Sequence, residues 1–470
     1  MEEKFMMENK LNLKRILLII FIVSLMIRLL YGIFVFNKGE TIDFKGDNDH
    51  WEYINYAKNI IDQGIFVPDI TKLDKEMETP YGLRGGEASL VGPGYPLVIA
   101  AIFALFGENN ISFTVLIILN AILSALLCVL IFYIGKELFN EKVGLWAAIW
   151  SIFYISYIKY IPSLYKDTWI TLFFPLLIYL FIKETKRNKV SLSLILLAIF
   201  YAYFIHLDER FFIYFPILLA GFVFFDTHSW RKGLQKAFVF SSFVVILMVP
   251  WLIRNFNVYH RVVILTERTA RFTDQIFGYR EEVVKRNNEE EKEVALKEDV
   301  AKMILAGKEV PADIVNAIEN SRRLDWLEPL KKGIKHGYIP HRYSSLEKWF
   351  ANAGELWRPF LLSGAFVSEG FQFVGPSWSF KHNLISCLSY GWLLPFFLAG
   401  IIFSLKNKNK YAIFIVLIMV LHTFIHVILP YITDRYRIPM DAFVMVTAFY
   451  GLQQVYLEFL NRGRMYKITS

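Results

Sequence analysis

The sequence predicts an all-α polytopic membrane protein, and three observations lead to that prediction. The 470-residue chain is 55% hydrophobic and 17% aromatic, and only 20% of it is charged, whereas an ordinary soluble protein is about 25% charged. The apolar residues come in blocks of roughly 15 to 25, which is long enough to cross a bilayer. Lys and Arg concentrate between these blocks, so the net charge of +8 indicates cytoplasmic loops rather than nucleic-acid binding.

We predict about ten transmembrane helices, one for each long apolar segment. The first segment follows Lys10, Lys14 and Arg15, and no small-residue cleavage site comes after it, so we expect an uncleaved first helix. Two other segments, 92–107 and 358–378, are short or broken by Gly, Ser and Pro. We expect 92–107 to be a short, tilted or re-entrant piece; the alternative is that these segments span, and the number of helices is then larger. The ten predicted helices lie near 16–36, 111–135, 143–161, 168–182, 190–205, 211–225, 237–253, 383–404, 411–429 and 439–459.

The charge of the connecting segments predicts which side of the membrane each one faces. One set is short and basic, and reads GKELFNEK, KETKRNK, HSWRKGLQK, LKNKNK and NRGRMYK. The positive-inside rule puts this set and both termini in the cytoplasm. The alternate segments then face outward, and they are 37–92, 165–167, 206–210, 254–382 and 434–437.

This topology predicts three parts of the chain. An N-terminal membrane domain covers 1–253 and includes the first outer loop, 37–92, in which WEYINYAKNIID indicates a juxtamembrane helix. A small extracytoplasmic segment follows at 254–382, and the C-terminal membrane helices occupy 383–470. Cys128 and Cys387 show no metal-ligand spacing, so we expect both to be free.

The first outer loop opens with an acidic cluster, KGDNDHWEYINYAKNI, which contains Asp47, Asp49, His50 and Glu52. Charges at the ends of membrane helices are costly unless they are paired or used, so the convergence of polar loops on one side indicates one extracytoplasmic site. Ordinary interfacial charges are the alternative. Carboxylates that share a space with arginines suit either a transporter or a transferase. The sequence lacks the mid-helix acidic residues and matched broken helices typical of transporters.

Four stretches, in order along the chain, resemble integral-membrane glycosyltransferases of the GT-C superfamily. DHWEYINYAKNIIDQGIF carries Asp49, Tyr53 and Ala57 at the spacing found in that family, and GPGYPLVIAAIFALFG carries its Pro-x-Tyr-Pro stretch at 93–96. VPWLIRNFNVYHRVVILTER resembles the Pro-Trp-x-x-Arg-Asn stretch of bacterial members, and DRYRIPMDAFVMVTAFYGL resembles their closing helix. The branch that is most similar contains protein O-mannosyltransferases and lipid A aminoarabinose transferases, and the resemblance covers the chain except about 270–335.

The resemblance implies an inverting transfer of a sugar, hexosyl or pentosyl, from a polyprenyl-phosphate donor to an extracytoplasmic acceptor. It points to Asp49 as the general base, with Asp47 as the second choice; a helix cap is the structural alternative for either residue. The leaving phosphate needs cations, for which Arg254, Arg435, Arg437 and Lys166 are candidates. Asp167, Tyr53 and Tyr95 are the candidates on the acceptor side.

A divalent cation is the cofactor that the resemblance leaves open, with Asp49, Asp167 and His206 as candidate ligands. Relatives that use a lipid monophosphate donor often work without a metal. The sequence also departs from the family in two places. HLDER stands where Thr-Arg-Pro is expected, and the basic residue expected just before Pro93 is absent, the nearest being Arg84.

Two other functions remain open from the sequence alone: a transporter or flippase of lipid-linked glycans, and a non-catalytic membrane assembly protein. The expected partners are the lipid bilayer, a polyprenyl-phosphate sugar and a lipid, glycan or protein acceptor, with no nucleic acid. We expect a prokaryotic plasma membrane with the active site on its outer face. The sequence does not specify the sugar or the acceptor.

Overall fold

The computed structural model forms two compact units. One comprises Met1–Tyr279, Pro395–Ile415 and Ile438–Ser470, and the other Arg280–Leu394 and Val416–Arg437. Within them the structure describes residues 2–37, 49–64, 66, 91–259, 262–266, 299–300, 302–304, 306–314, 339–341, 345–358, 366–368, 371–374, 384–428 and 434–469. Asp47 and most of the segment 358–378 lie outside these residues.

Helices account for most of the described chain, which also contains three short strands. The helices are α1 (Glu2–Asn37), α2 (Asp49–Gln63), α3 (Gly94–Phe106), α4 (Asn110–Leu138), α5 (Glu141–Ile152), α6 (Ile155–Lys159), α7 (Asp167–Lys186), α8 (Leu192–Leu207), α9 (Tyr214–Phe225), α10 (Trp230–Tyr259), α11 (Ser345–Trp357), α12 (Leu393–Lys406), α13 (Lys410–Ile428) and α14 (Asp441–Thr469). The strands are β1 (Ile339–His341), β2 (Phe366–Ser368) and β3 (Phe371–Val374). Short 3₁₀ turns lie at Glu209–Ile213, Asp434–Tyr436 and Ile438–Met440.

The mostly helical membrane fold is confirmed, but the count of ten spans is not. Among the described residues, seven helices are long and apolar enough to cross a membrane. The predicted spans 143–161, 190–205 and 211–225 instead contain helices of fewer than 18 residues, α5, α6, α8 and α9. The segment 92–107 forms α3, a 13-residue helix. The seven are Asn12–Asn37, Asn110–Leu138, Asp167–Lys186, Trp230–Val258, Leu384–Lys406, Lys410–Val427 and Ile438–Asn461.

Helices α4 and α5 form a closely packed antiparallel pair. The Asn140 side chain accepts a hydrogen bond from the Val143 backbone N–H at 3.0 Å, which satisfies one of the free donors at the start of α5. A Cβ added at Gly144 would lie 2.3 Å from the Phe132 carbonyl oxygen. The two backbones therefore approach closely because position 144 carries no side chain.

A fully buried arginine of α1 ties this pair to the first helix. The Arg28 Nε donates to Ser124 Oγ at 2.6 Å, and its Nη atoms donate to the carbonyls of Ser151 and Ile152 at 3.2 and 3.1 Å. Those carbonyls end α5, where a helix has unsatisfied acceptors and a partial negative charge. Arg28 therefore caps α5 just before the chain turns into α6.

Asn120 of α4 positions the segment that leads to α7. Its side-chain amide donates to the carbonyls of Ile161 and Ser163, at 3.2 and 3.0 Å, and its oxygen accepts from Trp169 Nε1 at 3.1 Å. Asn120 is fully buried. The irregular segment that precedes residues 165–167 is therefore held in place by the buried side-chain amide of Asn120.

The second unit contains α11 and a small three-stranded sheet. The all-α prediction did not include this sheet. Strand β3 lies in the middle and pairs antiparallel with β1 and with β2. Helix α11 packs against the end of α13 and the turn Asp434–Tyr436: Asn352 Nδ2 donates to the Val427 carbonyl at 2.9 Å, and Trp357 Nε1 donates to Thr423 Oγ1 at 2.8 Å.

Candidate active site

Helices α2 and α3 bring together two of the predicted site tyrosines. Tyr53 and Tyr95 are buried, and their rings meet edge to face with centroids 5.1 Å apart. Position 49 lies one helical turn before Tyr53, so it shares the face of α2 that packs on α3. The side chain of Asp49 itself lies outside the described residues.

The start of α3 fits against the end of α8 because it carries glycine. A Cβ added at Gly94 would lie 2.6 Å from the Leu207 backbone nitrogen, and one added at Gly92 would lie 2.2 Å from the His206 carbonyl oxygen. Only glycine allows so close an approach. It sets Tyr95 beside the loop 206–210, which the sequence predicted to be part of the site.

The start of α7 adds two charged residues to the same region. Lys166 and Asp167 are both buried, and the Lys166 ammonium lies 6.0 Å from the Tyr53 ring centre. Burial raises the pKa of Tyr95, and the nearby negative charge of Asp167 raises it further. The Tyr95 hydroxyl therefore stays protonated and lies close to Asp167.

A group of four charged residues, which we call the ionic cluster, is formed by Lys166, Asp208, Glu209 and Arg210. Arg210 binds both oxygens of Asp208, with Nε donating to Oδ1 at 2.9 Å and Nη2 to Oδ2 at 2.5 Å. The Lys166 Nζ lies 3.4 Å from Asp208 Oδ2 and 3.8 Å from Glu209 Oε2. Asp208 is completely buried, and Lys166 and Glu209 nearly so.

The pKa of Asp208 reflects this arrangement. Burial alone would raise the pKa, but the charges of Arg210 and Lys166 and the hydrogen bonds from Arg210 hold it well below the usual range. Asp208 is therefore a permanent anion whose charge is already neutralised. Its bidentate contact with Arg210 makes it a fixed support for the neighbouring side chains.

An aromatic group borders the ionic cluster on the side of α10. Trp251 contacts the rings of both His206 and Phe66, with centroids 5.7 and 5.3 Å apart. Arg254 lies over the Trp251 ring at 5.1 Å, and its Nη2 donates to the Phe66 carbonyl at 2.9 Å. Burial lowers the pKa of His206 to about 4, so its imidazole is neutral at pH 7.

The second unit holds the two other predicted arginines. Arg437 is buried, donates from Nη1 to the Leu356 carbonyl at 3.1 Å, and lies 3.7 Å from the Tyr390 ring centre. Arg435 lies in the preceding 3₁₀ turn, over the ring of Tyr436 at 5.5 Å. His422 Nε2 donates to the Tyr436 carbonyl at 2.7 Å and so fixes this turn to α13.

The polar atoms of the first unit that are buried without a hydrogen-bond partner among the described residues include the Tyr95 hydroxyl, His206 Nδ1 and Glu209 Oε2. Each unsatisfied buried group costs about 1–3 kcal/mol. Tyr95 lies at the start of α3, which packs on the end of α8, and His206 and Glu209 lie at that end and in the turn after it.

A metal ion does not fit the described part of this region. No group of three His, Cys, Asp or Glu side chains is placed to hold one among the residues whose side chains are described, which include Asp167 and His206. The Lys166 ammonium already lies beside the carboxylates of Asp208 and Glu209.

The structure thus groups Tyr53, Tyr95, Lys166 and Asp167 in one region of the first unit, with His206 and Arg254 along its border. Sequence reasoning weighed Asp208 and Glu209 only as added negative charge and did not select Arg210. It missed Arg28 entirely. A single arginine inside an apolar run is costly in a membrane, and that cost was a signal available from the sequence.

These helices and this buried polar region define an integral membrane protein with a candidate active site in its first unit. Residues 91–253, which contain most of that region, match the family model described as dolichyl-phosphate-mannose-protein mannosyltransferase. The resemblance to GT-C glycosyltransferases is therefore confirmed over this part of the chain. No curated protein matches the sequence.

Solved structures of an archaeal oligosaccharyltransferase share the fold. The apo form of the Archaeoglobus fulgidus enzyme is 16% identical, with a TM-score of 0.55, and the match covers 97% of this chain and 52% of that one. The same enzyme, AglB, in complex with an inhibitory peptide and a dolichol-phosphate is 14% identical, with a TM-score of 0.55 over 97% and 51% of the two chains. This chain therefore spans about half the length of the structures it matches.

Proposed function

We propose that the chain is an inverting glycosyltransferase that moves a sugar from a polyprenyl-phosphate donor to an acceptor outside the cytoplasm. The observation that supports this most is the packing of α2 on α3. It brings Tyr53 beside Tyr95, on the face that also carries position 49, within reach of the buried charges of α7 and the loop 206–210. The family match over 91–253 and the dolichol-phosphate bound to AglB favour a lipid-linked donor.

In the proposed reaction Asp49 is the general base, with Asp47 as the second choice. Its carboxylate takes the proton from the acceptor hydroxyl as that oxygen attacks the anomeric carbon of the donor sugar. The bond between the anomeric carbon and the phosphate oxygen breaks at the same time, and the phosphate leaves with the electron pair. Attack opposite to the leaving group inverts the anomeric configuration.

Arginine side chains are proposed to hold the departing phosphate, because a guanidinium can bind two of its oxygens. Arg254 is the candidate in the first unit, and its guanidinium is oriented by the Trp251 ring and the Phe66 carbonyl. Arg435 and Arg437 are the candidates in the second unit. Lys166 suits this role less well, because the carboxylates of Asp208 and Glu209 already surround it.

The charge of the connecting segments supports an orientation with both termini in the cytoplasm and the site outside. The acceptor side is proposed to involve Asp167, Tyr53 and Tyr95. The label that moves, and the lipid, glycan or protein product into which it moves, identify the sugar, hexosyl or pentosyl, and the acceptor.

The proposal is tested by substituting Asp49→Asn and Asp47→Asn separately in membranes supplied with radiolabelled polyprenyl-phosphate sugars. The expected result is loss of label transfer by at least about 100-fold in one of the two variants, since general-base catalysis contributes about 10²–10⁴-fold. Asp62→Asn is the matched control, because Asp62 lies on the same helix and is exposed. Transfer at the wild-type rate in both the Asp49 and Asp47 variants would rule out the proposed base.

The competing function, a flippase of lipid-linked glycans, gives a different result in the same system. In proteoliposomes a flippase moves labelled lipid between leaflets without forming a new glycoside. Movement of intact donor with no labelled product, unchanged in both aspartate variants, would favour the flippase.

A further inference from the structure

Lys166 and Glu209 are two buried charges that the proposed reaction does not use. The Lys166 ammonium is 3.4 Å from Asp208 and 3.8 Å from Glu209, both longer than the hydrogen-bond range of about 2.7–3.2 Å. Glu209 Oε2 has no hydrogen-bond partner among the described residues. A buried donor and a buried acceptor therefore stand side by side, each with bonding capacity left.

The Tyr95 hydroxyl adds a third group of the same kind. It is fully buried, it too lacks a hydrogen-bond partner in the described part of the chain, and its ring packs on Tyr53, over which the Lys166 ammonium lies. Tyr95 can donate and accept at the same oxygen. Tyr53 thus contacts both Tyr95 and Lys166, and Lys166, Glu209 and Tyr95 are each more than nine-tenths buried.

The charge of this group argues against a second anion as its ligand. In the ionic cluster the two negative charges of Asp208 and Glu209 are balanced by the two positive charges of Lys166 and Arg210. A phosphate placed here would therefore find no excess of positive charge to bind it. A neutral ligand with adjacent hydroxyls matches better, because each hydroxyl can donate to Glu209 and accept from Lys166.

We propose that Lys166 and Glu209 form the subsite that recognises hydroxyls of the donor sugar. Asp208 and Arg210 act as positioning residues, since their bidentate contact fixes the backbone turn from which Glu209 extends. This assignment rests on the proposed function, because it takes the ligand to be the glycosyl group of a polyprenyl-phosphate donor.

A buried polar subsite discriminates between donor sugars because a hydroxyl missing from the sugar leaves a polar group of the protein without a hydrogen-bond partner. When a donor lacks the hydroxyl that Glu209 accepts from, a buried carboxylate oxygen loses its partner, and affinity falls about tenfold or more. A donor lacking a hydroxyl that the subsite does not contact loses far less. Lys166 and Glu209 therefore determine which sugar the protein accepts.

The test measures binding, so that it does not depend on transfer. Purified protein in nanodiscs is titrated with polyprenyl-phosphate mannose and polyprenyl-phosphate glucose and with their 2-, 3-, 4- and 6-deoxy forms. We expect the wild type to bind at least one deoxy donor about tenfold more weakly than the intact donor. In the double variant Lys166→Gln/Glu209→Gln, which removes both charges and keeps side-chain size, that difference should shrink to within about twofold.

The control is the double variant Lys136→Gln/Glu141→Gln, which neutralises an exposed Lys–Glu pair 2.7 Å apart and should keep wild-type discrimination. Glu209→Gln alone provides a second variant, and its folding is checked by thermal unfolding. An equal loss of affinity for every donor, or discrimination that survives in the double variant, would overturn the assignment. If hydroxyl-dependent binding appears but no label is ever transferred, the subsite stands and the glycosyltransferase proposal fails.

Discussion

The substitution Arg28→Lys is expected to destabilise the protein strongly, although it keeps the charge. Arg28 is fully buried and donates five hydrogen bonds, to Ser124 Oγ, to Cys128 Sγ and to the carbonyls of Ser24, Ser151 and Ile152. A lysine ammonium has three donors on a single atom and cannot reproduce the fork of a guanidinium. The same positive charge would remain buried with fewer partners.

The size of the effect follows from the bonds that are lost. At least two of the five hydrogen bonds cannot form, and each hydrogen bond to a charged group contributes about 1.5–3 kcal/mol, so the free energy of unfolding should fall by about 3–6 kcal/mol. Arg15→Lys is the matched control, since Arg15 lies on the same helix and is exposed. That substitution should change the free energy by no more than about 0.5 kcal/mol.

The measurement is denaturant-induced unfolding of the purified protein in detergent micelles, followed by tryptophan fluorescence. If the Arg28→Lys and Arg15→Lys variants unfold at the same denaturant concentration, Arg28 does not cap α5 in the way described. A loss seen only in activity would refute the stability argument equally.

Two further substitutions test the packing at the site and the pH dependence of stability. Gly94→Ala should lower the free energy of unfolding by about 1–3 kcal/mol, because the new Cβ would lie 2.6 Å from the Leu207 backbone nitrogen. The control is Gly354→Ala in α11, where the new Cβ meets nothing within 4 Å, and it should raise the free energy of unfolding by up to about 1 kcal/mol. Equal effects of the two substitutions in a denaturant titration would contradict the packing of α3 on α8. Burial would raise the pKa of Asp226, but the hydrogen bond from Lys236 lowers it on balance. The ionised Asp226 carboxylate therefore stabilises the fold above the unfolded pKa of about 3.9, and this stabilisation is lost as the pH falls through the lower folded pKa. Asp226→Asn should therefore lower the melting temperature most at pH 7 and progressively less below about pH 4, and a difference that does not change with pH would show that the carboxylate charge is not involved.

Hydropathy predicted the membrane class because it depends on composition and block length, which burial does not alter. The predicted number of membrane spans was not confirmed where an apolar segment is broken into shorter helices. The run 143–161 was predicted as one span, yet the chain leaves the helix at Phe153, where Arg28 caps the end of α5. That break depends on a side chain more than 100 positions earlier, so a local window cannot detect it.

The candidate site shows the same division. The spacing of Asp49 and Tyr53 pointed to α2, and the Pro-x-Tyr-Pro stretch pointed to Tyr95, because both are local patterns. The pairing of Asp208 with Arg210 and the position of Lys166 between two carboxylates were not predicted. They depend on how α7 and the end of α8 approach each other.

The sequence by itself determined that this is a helical membrane protein resembling GT-C glycosyltransferases, since apolar block length and short motifs are properties of the linear chain. Only the tertiary structure decided which polar residues are buried together. Burial of Lys166, Glu209 and Tyr95 in one region results from three separate helical segments packing around glycine contacts. The physical reason is that the cost of an unsatisfied buried group arises only when the chain has folded and removed water from it.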